Sequence, residues 1–313
     1  MKAGVVGVGR LGGALAFGLA RDGAWDEIVL TDVVESLAWA QAEDIRHGLP
    51  DRATVVRAGA LQDLQGADLV VVTAGTGRKP GMSRLDLLRA NAPIVASVGR
   101  GIAEVAPDAT IVLLTNPLDV MTALVQRASG FPRERVLGSG ALVDSWRFRL
   151  LLADRLGLRP GEVEGTVLGE HGDRAVPVWS HVRVRGRPAE LDERTRDAVR
   201  EDLRTLSARV IAGKGWTSFG PGGCTGVLVR ALFARRSSVV PASVVLAGEY
   251  GVRDVALGVP ALVGRGMIQG IEEWALPHEE LRALREAGRE LAPFVKDALA
   301  QAGLEEIEAV PAA

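Results

Sequence analysis
Along the first half of the chain, short runs rich in Val, Ile and Leu alternate with longer stretches whose apolar residues return at helical spacing. The runs at 3–8, 27–31, 54–57, 69–73 and 110–115 are brief and bounded by turn residues, the pattern of strands buried in a parallel sheet. The stretches at 11–21, 36–47 and 84–105 are long enough to be helices. Strand and helix taking turns in this way predict an α/β fold with a doubly wound parallel sheet.

The second half reads differently. Residues 163–168 and 181–185 look like strands, the second running into a Gly186-Arg187-Pro188 turn. Helical patterns cover 192–212 and 225–234. Leu281, Leu284, Leu291, Val295 and Leu299 form one face of a C-terminal amphipathic helix. Residues 310–313 carry no pattern and are expected to fray. Gly138-Ser139-Gly140 interrupts the apolar pattern and puts a boundary near 140–145. The expected division is an N-terminal domain over 1–142 and a C-terminal α+β domain over 143–313, and 313 residues are enough for both.

Composition narrows the class. Hydrophobic residues at 47% supply a full core, and aromatics at 4% mean that aliphatic side chains must fill it. A net charge of −2 with dispersed arginines argues against nucleic acid and against a membrane surface as partners. The single cysteine, Cys224, in what reads as a Gly-rich turn, excludes an intrachain disulfide and a multi-cysteine metal site; no metal is expected. No apolar run reaches transmembrane length and no signal-peptide core is present, so a cytoplasmic protein is expected.

Gly7-Val8-Gly9-Arg10-Leu11-Gly12 follows the first strand and opens the first helix. Gly7 permits the tight turn, Gly9 lets a pyrophosphate approach the backbone, and Gly12 permits close packing of helix on strand. The helix N-terminus would offer its N–H groups to the phosphates. Asp32 ends the second strand twenty residues beyond Gly12, where a carboxylate accepts the adenosine ribose hydroxyls and repels a 2′-phosphate. That favours NAD over NADP on a Rossmann fold, though methyltransferases and flavin proteins share these residues.

Hydride exchange between NAD and a hydroxyl-bearing carbon would need a proton carrier, a group to hold it, and polar or cationic groups for the substrate. The chain has four histidines: His47, His171, His181 and His278. His171 stands in Gly169-Glu170-His171-Gly172-Asp173, flanked by glycines at a strand end. Three further motifs accompany it: Arg78-Lys79-Pro80-Gly81-Met82-Ser83-Arg84, Thr115-Asn116-Pro117-Leu118-Asp119 and Leu142-Val143-Asp144-Ser145-Trp146-Arg147. In this order they resemble the lactate/malate dehydrogenase family from end to end, most of all its tetrameric, lactate-dehydrogenase-like malate dehydrogenases.

The resemblance implies roles. His171 would be the proton relay and Asp144 its hydrogen-bonded orienter. Arg147 would clamp the substrate carboxylate, and Arg84, on the mobile loop, would polarise the carbonyl. Asn116 would position substrate and nicotinamide. Thr73, Ala74, Gly75, Asn91, Leu114, Thr115 and Asn116 would join Gly7, Val8, Gly9, Arg10, Leu11, Gly12 and Asp32 in touching NAD. A homo-oligomer, a tetramer rather than a dimer, is also implied. Lactate members carry Gln at the position of Arg78 and malate members Arg. A second substrate carboxylate buried without a partner would cost roughly 3–5 kcal/mol, and Arg78 would pair with it. Malate and oxaloacetate are therefore the expected substrates, with lactate and pyruvate the alternative. Thr217 matches a pocket-wall residue often found in lactate members. Glu164 lies where fructose-bisphosphate-activated lactate members tend to carry a basic residue. Ala141, Trp146 and Trp216 depart from the usual pattern, Trp146 being expected to point away from Arg147 towards packing or a subunit contact. Two rivals are disfavoured: a non-catalytic NAD-binding protein would not need the set of Arg84, Asp144, Arg147 and His171, and an NAD- and metal-dependent glycosidase would use a Cys/His metal site, whereas Cys224 has no histidine close in sequence.

Overall fold
A computed structural model describes residues 1–51, 53–77 and 81–304. Arg78 and the closing residues 310–313 lie outside the described residues. The first half builds six parallel strands: β1 (Lys2–Val6), β2 (Glu27–Thr31), β3 (Val55–Ala58), β4 (Leu69–Val72), β5 (Thr110–Leu113) and β6 (Val136–Gly138). Their order, β3-β2-β1-β4-β5-β6, reverses direction between β1 and β4. This is the doubly wound sheet that the alternating pattern predicts. β4 and β5 are buried at every position, as parallel strands covered on both faces must be. The helices are α1 (Arg10–Asp22), α2 (Glu35–Gly48), α3 (Arg84–Val105) and α4 (Leu118–Ser129). The start of α3 is set by a reciprocal cap: the Ser83 hydroxyl accepts the Asp86 N–H, and the Asp86 carboxylate accepts the Ser83 N–H.

The second half adds α5 (Gly140–Leu156), β7 (Val163–Glu164), β8 (Val167–Gly169), β9 (Ala175–Pro177), β10 (Arg183–Val184) and β11 (Arg187–Pro188). There follow α6 (Glu193–Lys214), α7 (Phe219–Leu232), β12 (Ser238–Ala247), β13 (Arg253–Gly264), β14 (Met267–Ile271) and α8 (His278–Gln301). β12 joins β6, β13 joins β12, and β8, β9 and β14 follow, so a single 11-stranded sheet runs through both halves. The main core is shared in the same way: Leu113 and Leu142 belong to one cluster with Val244, Val259 and Leu284. A smaller cluster under α6 gathers Phe148, Leu152, Val163, Trp179 and Val199, with the Phe148 and Trp179 rings edge to face at 5.0 Å.

Several elements differ from the pattern. Residues 163–168 form two strands in different sheets, and between them Arg149 takes the Gly165 carbonyl at 2.8 Å. Within 181–185 only Arg183–Val184 pairs as a strand; His181 closes a 3-10 turn. The turn falls one residue earlier than 186–188: Arg185 and Gly186, both at positive φ, form a two-residue hairpin loop, and Arg187–Pro188 is already β11. α7 begins at Phe219 instead of 225, so Cys224 is on a helix, not in a turn. Gly222 packs against the backbone of α1 at Leu15, and Pro221 falls in the first turn of the helix, where its missing N–H costs nothing. The long strands β12, β13 and β14 occupy a stretch for which the pattern predicts no element.

Candidate active site
The C-terminal ends of β1, β2, β4 and β5 open into a cleft of ≈ 2420 Å³, at the point where the strand order reverses. Gly7, Gly9, Arg10, Leu11, Gly12 and Asp32 line it, together with Thr73, Ala74, Gly75, Leu114, Thr115 and Asn116. A side chain is impossible at the turn: a Cβ on Gly7 would meet the Ala74 backbone at 2.5 Å, and one on Gly12 the Gly7 carbonyl oxygen at 2.0 Å. The N-terminus of α1 has no side-chain cap and no acidic residue in its first turn, so its N–H groups are left for an anion. Asp32 accepts the N–H of Val8 at 2.8 Å and of Val34 at 3.0 Å, which pins its carboxylate at the cleft edge beside the glycine turn. These features fit a dinucleotide: a bare backbone cradle for the pyrophosphate and a fixed acceptor for ribose hydroxyls.

Two residues expected to touch NAD are not among those whose atoms line the cleft. Val8 is buried beneath the turn. Asn91, on α3, is fully buried; its side chain accepts the Thr76 N–H at 2.8 Å and donates to the Thr76 and Asn116 carbonyls at 3.2 and 2.8 Å. It ties the walls behind β4 and β5 and does not line the cleft.

At the far end of the same cleft stand His171, Asp144, Arg147, Arg84 and Thr217. Asp144 and Arg147 lie one turn apart on α5, and Arg147 Nη1 donates to Asp144 Oδ1 at 3.0 Å. The other carboxylate oxygen meets His171 Nδ1 at 2.7 Å, which leaves Nε2 without a hydrogen-bond partner among the described residues. The His171 side chain is 19% exposed and that of Asp144 8%. Burial alone would lower the proton affinity of His171. The charge and hydrogen bond of Asp144, with Asp119 behind, outweigh it and hold the ring above the ordinary histidine value.

Arg84 is the first residue of α3, and its guanidinium pairs with the fully buried Glu170 and lies 5.5 Å from the Phe294 ring centroid. Trp216 receives the Arg10 guanidinium on its face at 3.8 Å, linking the glycine turn to the loop that carries Thr217. Trp146 points outward from α5 and is half-exposed. Burial pushes the Cys224 thiol up to about 11, so it stays protonated and unreactive. Among the described residues no group of three or more His, Cys, Asp or Glu side chains is arranged to hold a metal.

Sequence reasoning missed two supports. A Cβ on Gly140 would stand 2.5 Å from His171 Cγ, so the imidazole lies directly on the start of α5. Asp119 accepts the His171 backbone N–H at 2.7 Å. Gly140 and Asp119 both sit in quoted motifs, but nothing in their spacing tells that they touch His171.

A family model described as the lactate/malate dehydrogenase NAD-binding domain matches residues 1–138, and one described as the family's alpha/beta C-terminal domain matches 142–302. An L-lactate dehydrogenase of Thermus aquaticus is 41% identical over 91% of this chain and 95% of its own. A malate dehydrogenase of Pyrobaculum aerophilum is 39% identical over 88% and 91%. The solved malate dehydrogenase of Archaeoglobus fulgidus in complex with NADH superposes with a TM-score of 0.88 at 36% identity, covering 97% of this chain and 100% of that one. By its sequence, its fold and its dinucleotide cleft, the chain belongs to the lactate/malate dehydrogenase family and is an NAD-dependent 2-hydroxyacid dehydrogenase.

Proposed function
We propose that the protein is a malate dehydrogenase, interconverting malate and oxaloacetate with NAD. The observation that carries this reading is Arg78, where lactate members of the family carry Gln. It stands six residues before Arg84, which lines the substrate end of the cleft. Bound NAD supplies the hydride acceptor in oxidation, and NADH the donor in reduction. Arg147 holds the carboxylate that all 2-hydroxyacids share, as a charge-assisted pair. Asp144 holds Nδ1 of His171, so Nε2 gives a proton to the ketone oxygen in reduction and takes it back in oxidation. Arg84 leaves Glu170 to polarise the carbonyl, and Arg78 pairs with the second carboxylate of oxaloacetate. Asn116 and Thr217 form the remaining walls.

A lactate dehydrogenase is the second reading, favoured by Thr217 and by the Thermus relative. Initial rates with oxaloacetate and with pyruvate, at matched concentrations of NADH, separate the two. Arg78→Gln should move the ratio of kcat/KM towards pyruvate by roughly 100-fold or more. Equal losses on both substrates would remove Arg78 from this role. We further propose a cytoplasmic homotetramer. Large apolar side chains left exposed on three helices, Trp39, Trp146 and Phe219, support association.

A further inference from the structure
Two buried carboxylates beside His171 have no part in the proton transfer as described. Glu170 is matched by Arg84 and Arg174. Asp119 is different, for no arginine pairs with it among the described residues. From the first turn of α4 it accepts the His171 backbone N–H on Oδ2 at 2.7 Å and the Ser243 hydroxyl on Oδ1 at 2.6 Å, and it is 2% exposed. Burial pushes its carboxyl up to about 6, against the pull of Ser243 and His171, so it is still largely anionic at neutral pH. A buried anion without a cationic partner is costly even at a helix N-terminus, and a neutral acceptor would bind the same two donors. Its charge therefore calls for a use.

We propose that Asp119 is a positioning residue for proton transfer: it fixes the peptide that carries His171 and supplies, from behind, a second negative charge that stabilises the imidazolium. This rests on His171 being the proton carrier. The charged groups around that ring are Asp144 and Arg147 from α5, Asp119 from α4, and Glu170 with its partners Arg84 and Arg174. Asp144 acts through the ring nitrogen, whereas Asp119 acts through the backbone and through space. Arg147 opposes both.

Asp119→Asn tests the charge while keeping the shape. The amide oxygen can accept the His171 N–H, and the amide NH₂ can donate to the Ser243 hydroxyl. The pH profile of kcat/KM for ketoacid reduction is measured with NADH and the faster of oxaloacetate and pyruvate. The titration of the His171 ring is followed by NMR alongside, and NADH affinity by fluorescence. In the Asn variant the limb that falls with rising pH, and the ring titration with it, should move down by roughly half a pH unit or more. NADH affinity should hold within about twofold, since Asp119 does not line the cofactor cleft. A limb and a ring titration that stay at the wild-type pH overturn the proposal, whatever happens to stability. Should the Asn variant not fold, Ser243→Ala leaves Oδ1 without its donor and favours the neutral acid. The limb should then move the same way, and an unmoved one overturns the proposal equally. A wild-type limb that does not follow the ring titration sinks the relay reading itself. A limb that follows the ring at the same pH in all three proteins sinks only the role of Asp119.

Discussion
Opposing influences meet at His171. Desolvation favours the neutral ring and Asp144 favours the cation; the cation wins, so the ring titrates above its ordinary value. Reduction through the proposed relay needs the protonated ring, so its kcat/KM should be full at low pH and fall as pH rises through this elevated value. Oxidation needs the neutral ring and should rise over the same interval. The same shift stabilises the fold fully below the unfolded histidine value, and that contribution is lost as pH rises through the folded one. His171→Asn should cut turnover at least about 1000-fold, while NADH still binds, as measured by fluorescence titration. A variant keeping a tenth of the activity would end the relay assignment. At this scale the sequence was informative wherever the chemistry lay in contiguous residues. His171, Asp144, Arg147 and Arg84 could each be named from a motif. The second attachment of Asp119 could not, because its partner Ser243 stands 124 residues away and has no signature of its own.

The helix start at Gly140 is an element-scale constraint on that chemistry. α5 begins against the imidazole and then delivers Asp144 one turn later, so the helix both backs the ring and grips it. Gly140→Ala is compatible with helical backbone, yet its methyl would enter the space of His171 Cγ. Turnover should fall roughly 10- to 100-fold with NADH affinity retained; a near wild-type kcat would show that the ring can yield without harm. Five of the six strands of the first half were legible because each is short, apolar and punctuated; the three-residue β6 and the helix α4 before it were not. β12 and β13 were not, and their prolines show why. Pro241 faces Pro260 across the ladder, so both missing donors fall on one rung, at a position where neither N–H is needed. In sequence each proline argues against a strand, and only the pairing removes the objection. α7 was misjudged at its start for a related reason, since Gly222 serves a close approach to α1 that its helix propensity does not announce.

For the molecule as a whole, the joint between the halves is held by more than the sheet. Arg133, just before β6, donates to Glu249 at 2.8 and 3.2 Å and to the Val245 carbonyl at 3.2 Å, binding the end of β12 to the first half. Glu249 is pulled down to about 2, its burial being outweighed by Arg133 and the Ala247 N–H. Its contribution is therefore present above the unfolded glutamate value of 4.5 and is lost as pH falls towards 2. Glu249→Gln should lower stability by on the order of 2 kcal/mol at pH 7, judged by urea midpoints, with the difference shrinking below pH 4. A difference that is the same at both pH values would mean that the ion pair contributes nothing specific.

The unbroken sheet also limits how such enzymes can be recombined. Residue 139 looks like a natural seam, since β6 ends before it and α5 begins after it. A hybrid spliced there would keep every covalent unit intact and still require a foreign β12 to lie against a native β6, with Ser243 opposite Gly138. It would also have to bring a foreign Ser243 to a native Asp119, and a foreign His171 to the same carboxylate. Cofactor and substrate specificities in this scaffold are thus inherited together, and exchange by single loop residues is more open to it than exchange by halves.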